Sequence, residues 1–298
     1  MTLFKYLAPE RIDVIERGEI RFTQPGALND PFEMRPRFDS LIAEAEVLSG
    51  LAAAPIDLGL IVEQAHFMLP EDVRERLPLD VALKAAGAAF ATEHTRAAAG
   101  AGIRMLLQSM RDGAAPARRQ IYQALNKNVG LLSLSEAQDH ELMWAHYAAS
   151  HTGFVLGFNE QHPFFNRRRS EHDEFFFLRK VLYADSPSAP FVASLDGDTL
   201  MVTKGTRWAY EREWRMILPL AQATSVLNSD SDTLYLFAFP RDAIESIVLG
   251  ANATSAFETR IRGLLRARPD LGHVHVRRAV LDLNARTISV LPIPAEGE

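Results

Sequence analysis

The segment "KGTRWAYEREWRMILPL", Lys204 to Leu220, sets two glutamates two residues apart where an apolar run begins. In a strand, residues two apart share a face, so Glu211 and Glu213 would point the same way with Arg215 beside them. On a helix the pair would diverge by about 200°. The run Met216-Ile217-Leu218 favours the strand. Neighbouring carboxylates repel, and one is driven toward its neutral form unless a cation intervenes. Such a pair can move protons or stabilise a developing positive charge. Arg212 and Arg215 could equally neutralise it, leaving a salt-bridged strand end.

Two further segments offer chemistry. In "FTQPGALNDPFEMR", Asn29-Asp30-Pro31 is a turn signal, and the loop presents Asn29, Asp30 and Glu33 after a strand. In "LLSLSEAQDHELMWAHYAASHTGFVLGF", Ser133 and Ser135 alternate with leucines, so both hydroxyls share one strand face. His140, His146 and His151 follow at spacings of six and five, which do not stack on one helical face, so no zinc site is expected. The chain has no G-x-S-x-G elbow, no phosphate loop and no G-x-G-x-x-G fingerprint. The basic segments "FNRRRSEH" and "TRIRGLLRARPD" read either as solvated loops or, with Phe164, Phe165 and Phe175 nearby, as single-strand nucleic-acid contacts.

Composition narrows the classes. The 298 residues are 47% hydrophobic and 23% charged, the mix of a globular chain. Cysteine is absent, which removes disulfides, thiolate-metal sites and cysteine nucleophiles. A net charge of -6 gives no global pull toward nucleic acid. The first residues are not expected to be a signal peptide, because Glu10 and Asp13 interrupt a short apolar stretch. No run approaches the roughly eighteen apolar residues that span a bilayer. A cytoplasmic protein without membrane contacts is expected.

The elements that must position these residues follow from periodicity. "TLFKYL" and "EIRFTQP" read as strands around the helix "PERIDVIERG", which Gly18 stops. From Asp39 to Asn128 the chain turns Ala- and Leu-rich, with four or five helices punctuated by Pro55, Pro70, Pro78 and Pro116. Strands then resume with "GLLSLSE", "GFVLGFN", "KVLYAD", "EWRMILPL", "LYLFAFP", "ESIVLG", "HVHVRRAVLD" and "TISVLPI". "ELMWAHYAAS" reads as a short helix, and "SAFETRIRGLLRAR" as an amphipathic one capped by Ser255. The expected fold is α+β, with a mixed sheet core over 1–38 and 129–298 and a large helical insertion over 39–128.

In order and spacing, "FKYLAPERIDVIERGEIRFTQPGALNDPFE", the serine segment, "VLYAD" and "WAYEREWRMI" resemble the bacterial family called domain of unknown function 2971. That family name implies no activity. The chain is also similar, more distantly, to ADP-ribosyltransferases of the arginine-serine-glutamate type. Those enzymes place a basic residue on the first strand, a serine-x-serine strand next, and a glutamate-x-glutamate strand end. This resemblance implies an ADP-ribosyltransferase-like core that uses NAD as substrate, in a toxin or phage-defence effector. Glu213 would stabilise the cationic ribosyl transition state, and Glu211 would orient or deprotonate the acceptor. Lys5 would pair with the pyrophosphate, with Tyr6 beside it, and Ser133 and Ser135 would hold the nicotinamide ribose. Trp144 and Tyr147 would pack on nicotinamide, and Asn29 and Asp30 would line the adenosine or acceptor end. The chain departs from the pattern with Lys5 for arginine, Ser-Leu-Ser for Ser-Thr-Ser, and the long helical stretch that separates Glu33 from Ser133.

The acceptor, protein or nucleic acid, is not specified, and hydrolysis of NAD is a close variant. An antitoxin or other regulatory partner fits a toxin. Two other readings compete. In one, Asp30, Glu33, Glu136, Glu211 and Glu213 hold magnesium in a nuclease. In the other, the glutamates are locked by Arg212, Arg215 or Lys204 in a sensor or binding module that does no chemistry.

Overall fold

The computed structural model describes residues 1–53, 58–90, 93–185, 189–228 and 233–293. The chain forms two compact units. One comprises Met1–Arg35, Ile121–Pro187 and Asp196–Glu298, and the other Pro36–Gln120 and Ser188–Leu195.

The strands in chain order are β1 (Thr2–Leu7), β2 (Glu19–Phe22), β3 (Phe38–Ser40), β4 (Val129–Ser135) and β5 (Phe154–Asn159). Next come β6 (Leu178–Lys180), β7 (Leu182–Tyr183), β8 (Ala189–Phe191), β9 (Thr203–Lys204) and β10 (Glu213–Pro219). The last are β11 (Ser225–Asn228), β12 (Thr233–Ala238), β13 (Ile244–Leu249), β14 (His275–Asp282) and β15 (Thr287–Pro292).

The first unit is built on an eight-stranded sheet, ordered β15-β14-β13-β5-β1-β4-β10-β6. Only β13 and β14 run parallel among its pairs, so the sheet is mixed. A three-stranded sheet, β11-β12-β2, belongs to the same unit. Beyond β2, Thr23 exchanges both backbone hydrogen bonds with Leu131 of β4, at 2.8 and 2.9 Å, which fastens the two sheets together. Leu3, Phe22, Phe154, Phe158, Met216 and Ile247 share one large core. The α+β expectation holds.

Several local expectations need correction. "KVLYAD" is not one strand, because β6 pairs with β10 whereas β7 pairs in parallel with β9. The final amphipathic helix is capped by Thr254, whose hydroxyl accepts from the Phe257 amide, and Ser255 is its first helical residue. Gly18, at φ 69°, ends the first helix, α1 (Asp13–Arg17), as its position predicts.

In the second unit, α2 (Glu44–Ala53), α3 (Leu58–Phe67), α4 (Glu71–Arg76), α5 (Leu79–Phe90) and α6 (Glu93–Asp112) accompany a parallel pairing of β3 with β8. The next helix, α7, runs Ala114–Asn128. Pro70 and Pro78 immediately precede helices, but Pro116 sits inside the first turn of α7, where no amide hydrogen is required. The described stretch therefore holds six helices rather than four or five, and Pro55 lies outside the described residues. Among the described residues, no helix is long and apolar enough to cross a membrane.

Candidate active site

Three neighbouring strands, β1, β4 and β10, carry the residues singled out by sequence. β1 meets β4 at Phe4↔Ser135, and β10 lies along β4 from Glu213↔Ser135 to Pro219↔Val129. A half-open cavity of about 250 Å³ lies over this junction. Lys5, Tyr6, Asn29, Ser133, Ser135, Tyr147, Glu211 and Glu213 all line it, together with Arg21, Thr23, Glu33 and Lys204.

The two glutamates do not share a strand face. Glu211 closes a 3-10 turn, Thr206–Glu211, and β10 begins only at Glu213. Between them Arg212 takes a left-handed conformation, φ 44°, and turns outward, exposed. The period-two rule fails because the strand is not continuous there. A cation brings the carboxylates together instead. Lys204 Nζ donates to Glu211 Oε2 at 2.6 Å and to Glu213 Oε2 at 2.9 Å, and lies 3.8 Å from Glu33.

Arg215 completes the lattice. Its Nε and Nη2 donate to the two oxygens of Glu213 at 2.8 and 3.1 Å, its Nη1 donates to the Met201 carbonyl, and it also pairs with Glu33. None of these five side chains is more than 6% exposed. Three carboxylates thus share two cations. Burial works against the Lys204 charge, but Glu213 and Glu211 outweigh it and hold the ammonium above the ordinary lysine range. Burial likewise pushes the Glu213 carboxyl up, against the pull of Lys204. The Trp208 ring covers Lys204, with its centroid 5.0 Å from Nζ.

Glu211 and Glu213 are also braced from outside the lattice. Tyr147 donates its hydroxyl to Glu211 Oε1 at 2.6 Å, and burial keeps that phenol protonated. Tyr147 ends the helix α8 (Glu141–Tyr147), and Ala149, Ser150 and His151 then take three successive left-handed conformations. Gly250 permits that turn, since a Cβ there would meet the His151 carbonyl at 2.1 Å. Ser135 donates to the Glu211 carbonyl at 2.6 Å and accepts from the Ala137 amide at 3.0 Å. The Glu213 amide donates to the Tyr183 hydroxyl at 2.8 Å.

The Ser135→Ala variant is therefore expected to unfold about 1–3 kcal/mol more easily, because it strands a buried amide and a carbonyl. Urea denaturation of the two proteins checks this. A difference under about 0.5 kcal/mol would mean that the hydroxyl is idle.

Other predicted site residues lie elsewhere. Trp144 is fully buried, edge-on to Tyr6 at 5.3 Å, and its Nε1 donates to the Gln138 carbonyl. It does not line the cavity, although its neighbour Met143 does, because its ring is wholly enclosed against Tyr6 and His151. Tyr6 reaches the cavity wall, but its hydroxyl is spent on the Ala137 carbonyl. Asp30 is buried, takes no part in the lining, and accepts from the Phe32 amide in a turn. Glu136 pairs with Lys180 and Trp214, apart from the other carboxylates. The five acids therefore do not converge, and Lys204 fills the point where Glu33, Glu211 and Glu213 do meet. Among the described residues, no three His, Asp or Glu side chains are disposed to hold a metal ion. Arg167, Arg168 and Arg169 lie over Phe164, Phe177 and Phe176 of their own hairpin, at 4.6, 4.2 and 4.1 Å.

Sequence reasoning named Lys204 only as a possible lock and passed over Arg21. The signal for Arg21 was available. In "EIRFT" the polar Arg21 and Thr23 alternate with the core residues Ile20 and Phe22, so both face away from that core.

Fold and site together define a class, an α+β protein with a polar cavity over three adjacent strands and a floor of shared buried charges. The family model described as Protein of unknown function (DUF2971) matches residues 143–216, the stretch that carries Tyr147, Lys204, Glu211, Glu213 and Arg215. Lys5, Asn29, Ser133 and Ser135 fall outside the match. No curated protein and no solved structure matches the chain.

Proposed function

We propose that the chain cleaves the bond between nicotinamide and ribose in NAD and passes ADP-ribose to an acceptor or to water. One observation carries this reading. A basic residue, a serine-x-serine strand and a glutamate strand end stand on three adjacent strands, β1, β4 and β10, around one cavity. That is the arrangement implied by the resemblance to ADP-ribosyltransferases, and it supports the finer fold assignment too.

When the C–N bond breaks, its electron pair leaves with nicotinamide and the ribosyl carbon becomes cationic. The floor beneath the cavity has three carboxylates for two cations, so it carries a surplus negative charge. A fixed negative charge in a site with little water stabilises that cation with no reorganisation at the moment of reaction. Glu213, rigidly held by Lys204 and Arg215, is the carboxylate for this task. Glu211 receives Tyr147 on Oε1 and Lys204 on Oε2, so both of its oxygens already hold a donor. Its larger contribution is electrostatic, with removal of the acceptor's proton second.

A second reading has one observation in its favour. Glu213 is ion-paired with Lys204 and Arg215 and Glu211 with Lys204, which suits a binding cleft that does no chemistry. Incubating the purified protein with NAD and following free nicotinamide separates the two. The expected result is time-dependent release, faster when cell lysate supplies acceptors. Saturable binding of NAD with no release, with or without lysate, would leave only the binding cleft.

A further inference from the structure

The helical unit differs from the rest of the chain in what it leaves uncovered. None of the side chains described on α3, α4 and α5 is buried. Where α3 ends, Phe67 and Met68 stand 78% and 84% exposed, and Val73 of α4 is exposed too. Single exposed apolar residues are ordinary, but two large ones in succession at the rim of a depression mark a contact surface. The depression, about 440 Å³, has Glu63, Phe67, Glu71, Arg74, Glu75 and Leu79 in its lining.

Charge is the second difference. From Asp39 to Glu93 the chain carries ten acidic residues and three basic ones, a balance of -7, against -6 for the whole chain. The net charge of the molecule is therefore gathered in this stretch. Three of the acids, Glu63, Glu71 and Glu75, line the depression, and among the described residues none of them has an ion-pair partner. The arginine among them, Arg74, lies over the Phe67 ring instead, 5.9 Å from its centroid.

These facts select an occupant. The acidic rim repels phosphate, which turns away nucleic acid and anionic lipid. The lining residues belong to α3, α4 and α5, so there is no strand edge here for a peptide to extend. Contact must run through side chains, with apolar anchors against Phe67 and Met68 and cations against the glutamates. A helix with one apolar and one basic face meets both needs. Methionine suits such a surface, because its unbranched thioether repacks around different anchors. A second copy is a poorer match. Its exposed Met105 and Leu106 on α6 have one arginine beside them, Arg104, because Arg111 is paired with Glu44.

We infer that the corner between α3 and α4 is a docking site for a basic amphipathic helix of another protein. The helix lays its apolar face on Phe67 and Met68 and its lysines or arginines on Glu63, Glu71 and Glu75. The surface belongs to the helical unit alone, so the inference stands apart from any reaction of NAD.

The test is fluorescence anisotropy with a labelled synthetic helix of roughly eighteen residues, built from leucine, alanine and lysine and added to the full chain. One control scrambles the order of the same residues, which destroys the apolar face, and another has glutamate for every lysine. Expected is binding of the ordered lysine helix about tenfold tighter than either control, weakening as salt is added. The double variant Phe67→Ser, Met68→Ser should lose about tenfold or more, with an unchanged circular dichroism spectrum because both side chains are exposed. The triple variant Glu63→Lys, Glu71→Lys, Glu75→Lys should reverse the preference and take the glutamate helix, which decides the matter even if the double variant misfolds. Equal affinity for ordered and scrambled helices, or undiminished affinity in the folded double variant, overturns the inference. So does sedimentation of the wild type as a dimer that the double variant dissociates, since that gives the surface to a second copy.

Discussion

Replacing Lys204 with methionine is expected to cost roughly 3–5 kcal/mol of stability, because it leaves buried carboxylates without their shared cation. For a unit of this size that is a fall in Tm of roughly 6–20 °C. Methionine keeps much of the volume, so the loss reads the charge rather than a cavity. The pH dependence gives an independent check. The folded Glu213 carboxyl already lies above its ordinary range, and loss of Lys204 drives it further up. A carboxyl raised on folding binds its proton more tightly in the native state, so its contribution to stability is present at low pH and is lost as pH rises through the folded value. The variant should therefore lag the wild type most at neutral pH, and the gap should narrow toward pH 5. Melting curves at pH 7.5 and pH 5 report this directly. An equal gap at both would show that Lys204 acts by packing alone.

The Glu213→Gln variant is expected to behave in the opposite way, folded but inactive. Removing one carboxylate leaves Glu33 and Glu211 paired with Lys204 and Arg215, and the charge of buried Asp30 also favours the Arg215 cation. The amide oxygen in the place of Oε2 can still accept from Lys204 and Arg215 Nη2, whereas the NH2 in the place of Oε1 faces Arg215 Nε and loses that bond, a cost of about 1–3 kcal/mol. The negative charge beneath the ribosyl carbon does not survive. A preorganised electrostatic contact of this kind is worth roughly 10²–10³ in kcat, and nicotinamide release should drop by that factor. Release at the wild-type rate from a folded Glu213→Gln protein would remove Glu213 from the chemistry.

Much of this frame is legible in the sequence where a single physical rule governs. The alternation of Ser133 and Ser135 with leucines identified β4, and the apolar run after Trp214 identified β10. The helix turn at Gly18 followed from its freedom to take positive φ. The rest depends on partners distant in the chain. Glu211 and Glu213 meet through Lys204, which reaches them from a two-residue strand that exists only because β7 pairs with it. The break at Arg212 had no signal, since arginine is not a residue that favours left-handed backbone. Trp144 was assigned to the ligand because a short amphipathic helix does not declare which side is inward. At the last helix, Thr254 and Ser255 offer adjacent hydroxyls, and only the Phe257 amide chooses between them.

The order of the strands has a consequence for how the chain comes into being. The Lys5–Ser133 contact joins residues 128 apart, and Thr2 bonds Glu245 across 243 positions. Pairings so distant in sequence are slow to find, because a long loop must close before any contact repays it. On a ribosome, β1 emerges first and waits with both edges open while the helical segments, whose contacts are local, have already formed. Lys5 cannot meet its partners until β4 and β5 have emerged, and the floor is incomplete until Glu213 and Arg215 have followed. A nascent chain that ends before β10 therefore has no cavity to offer a ligand, and its first strand is the segment most in need of protection from pairing with a stranger.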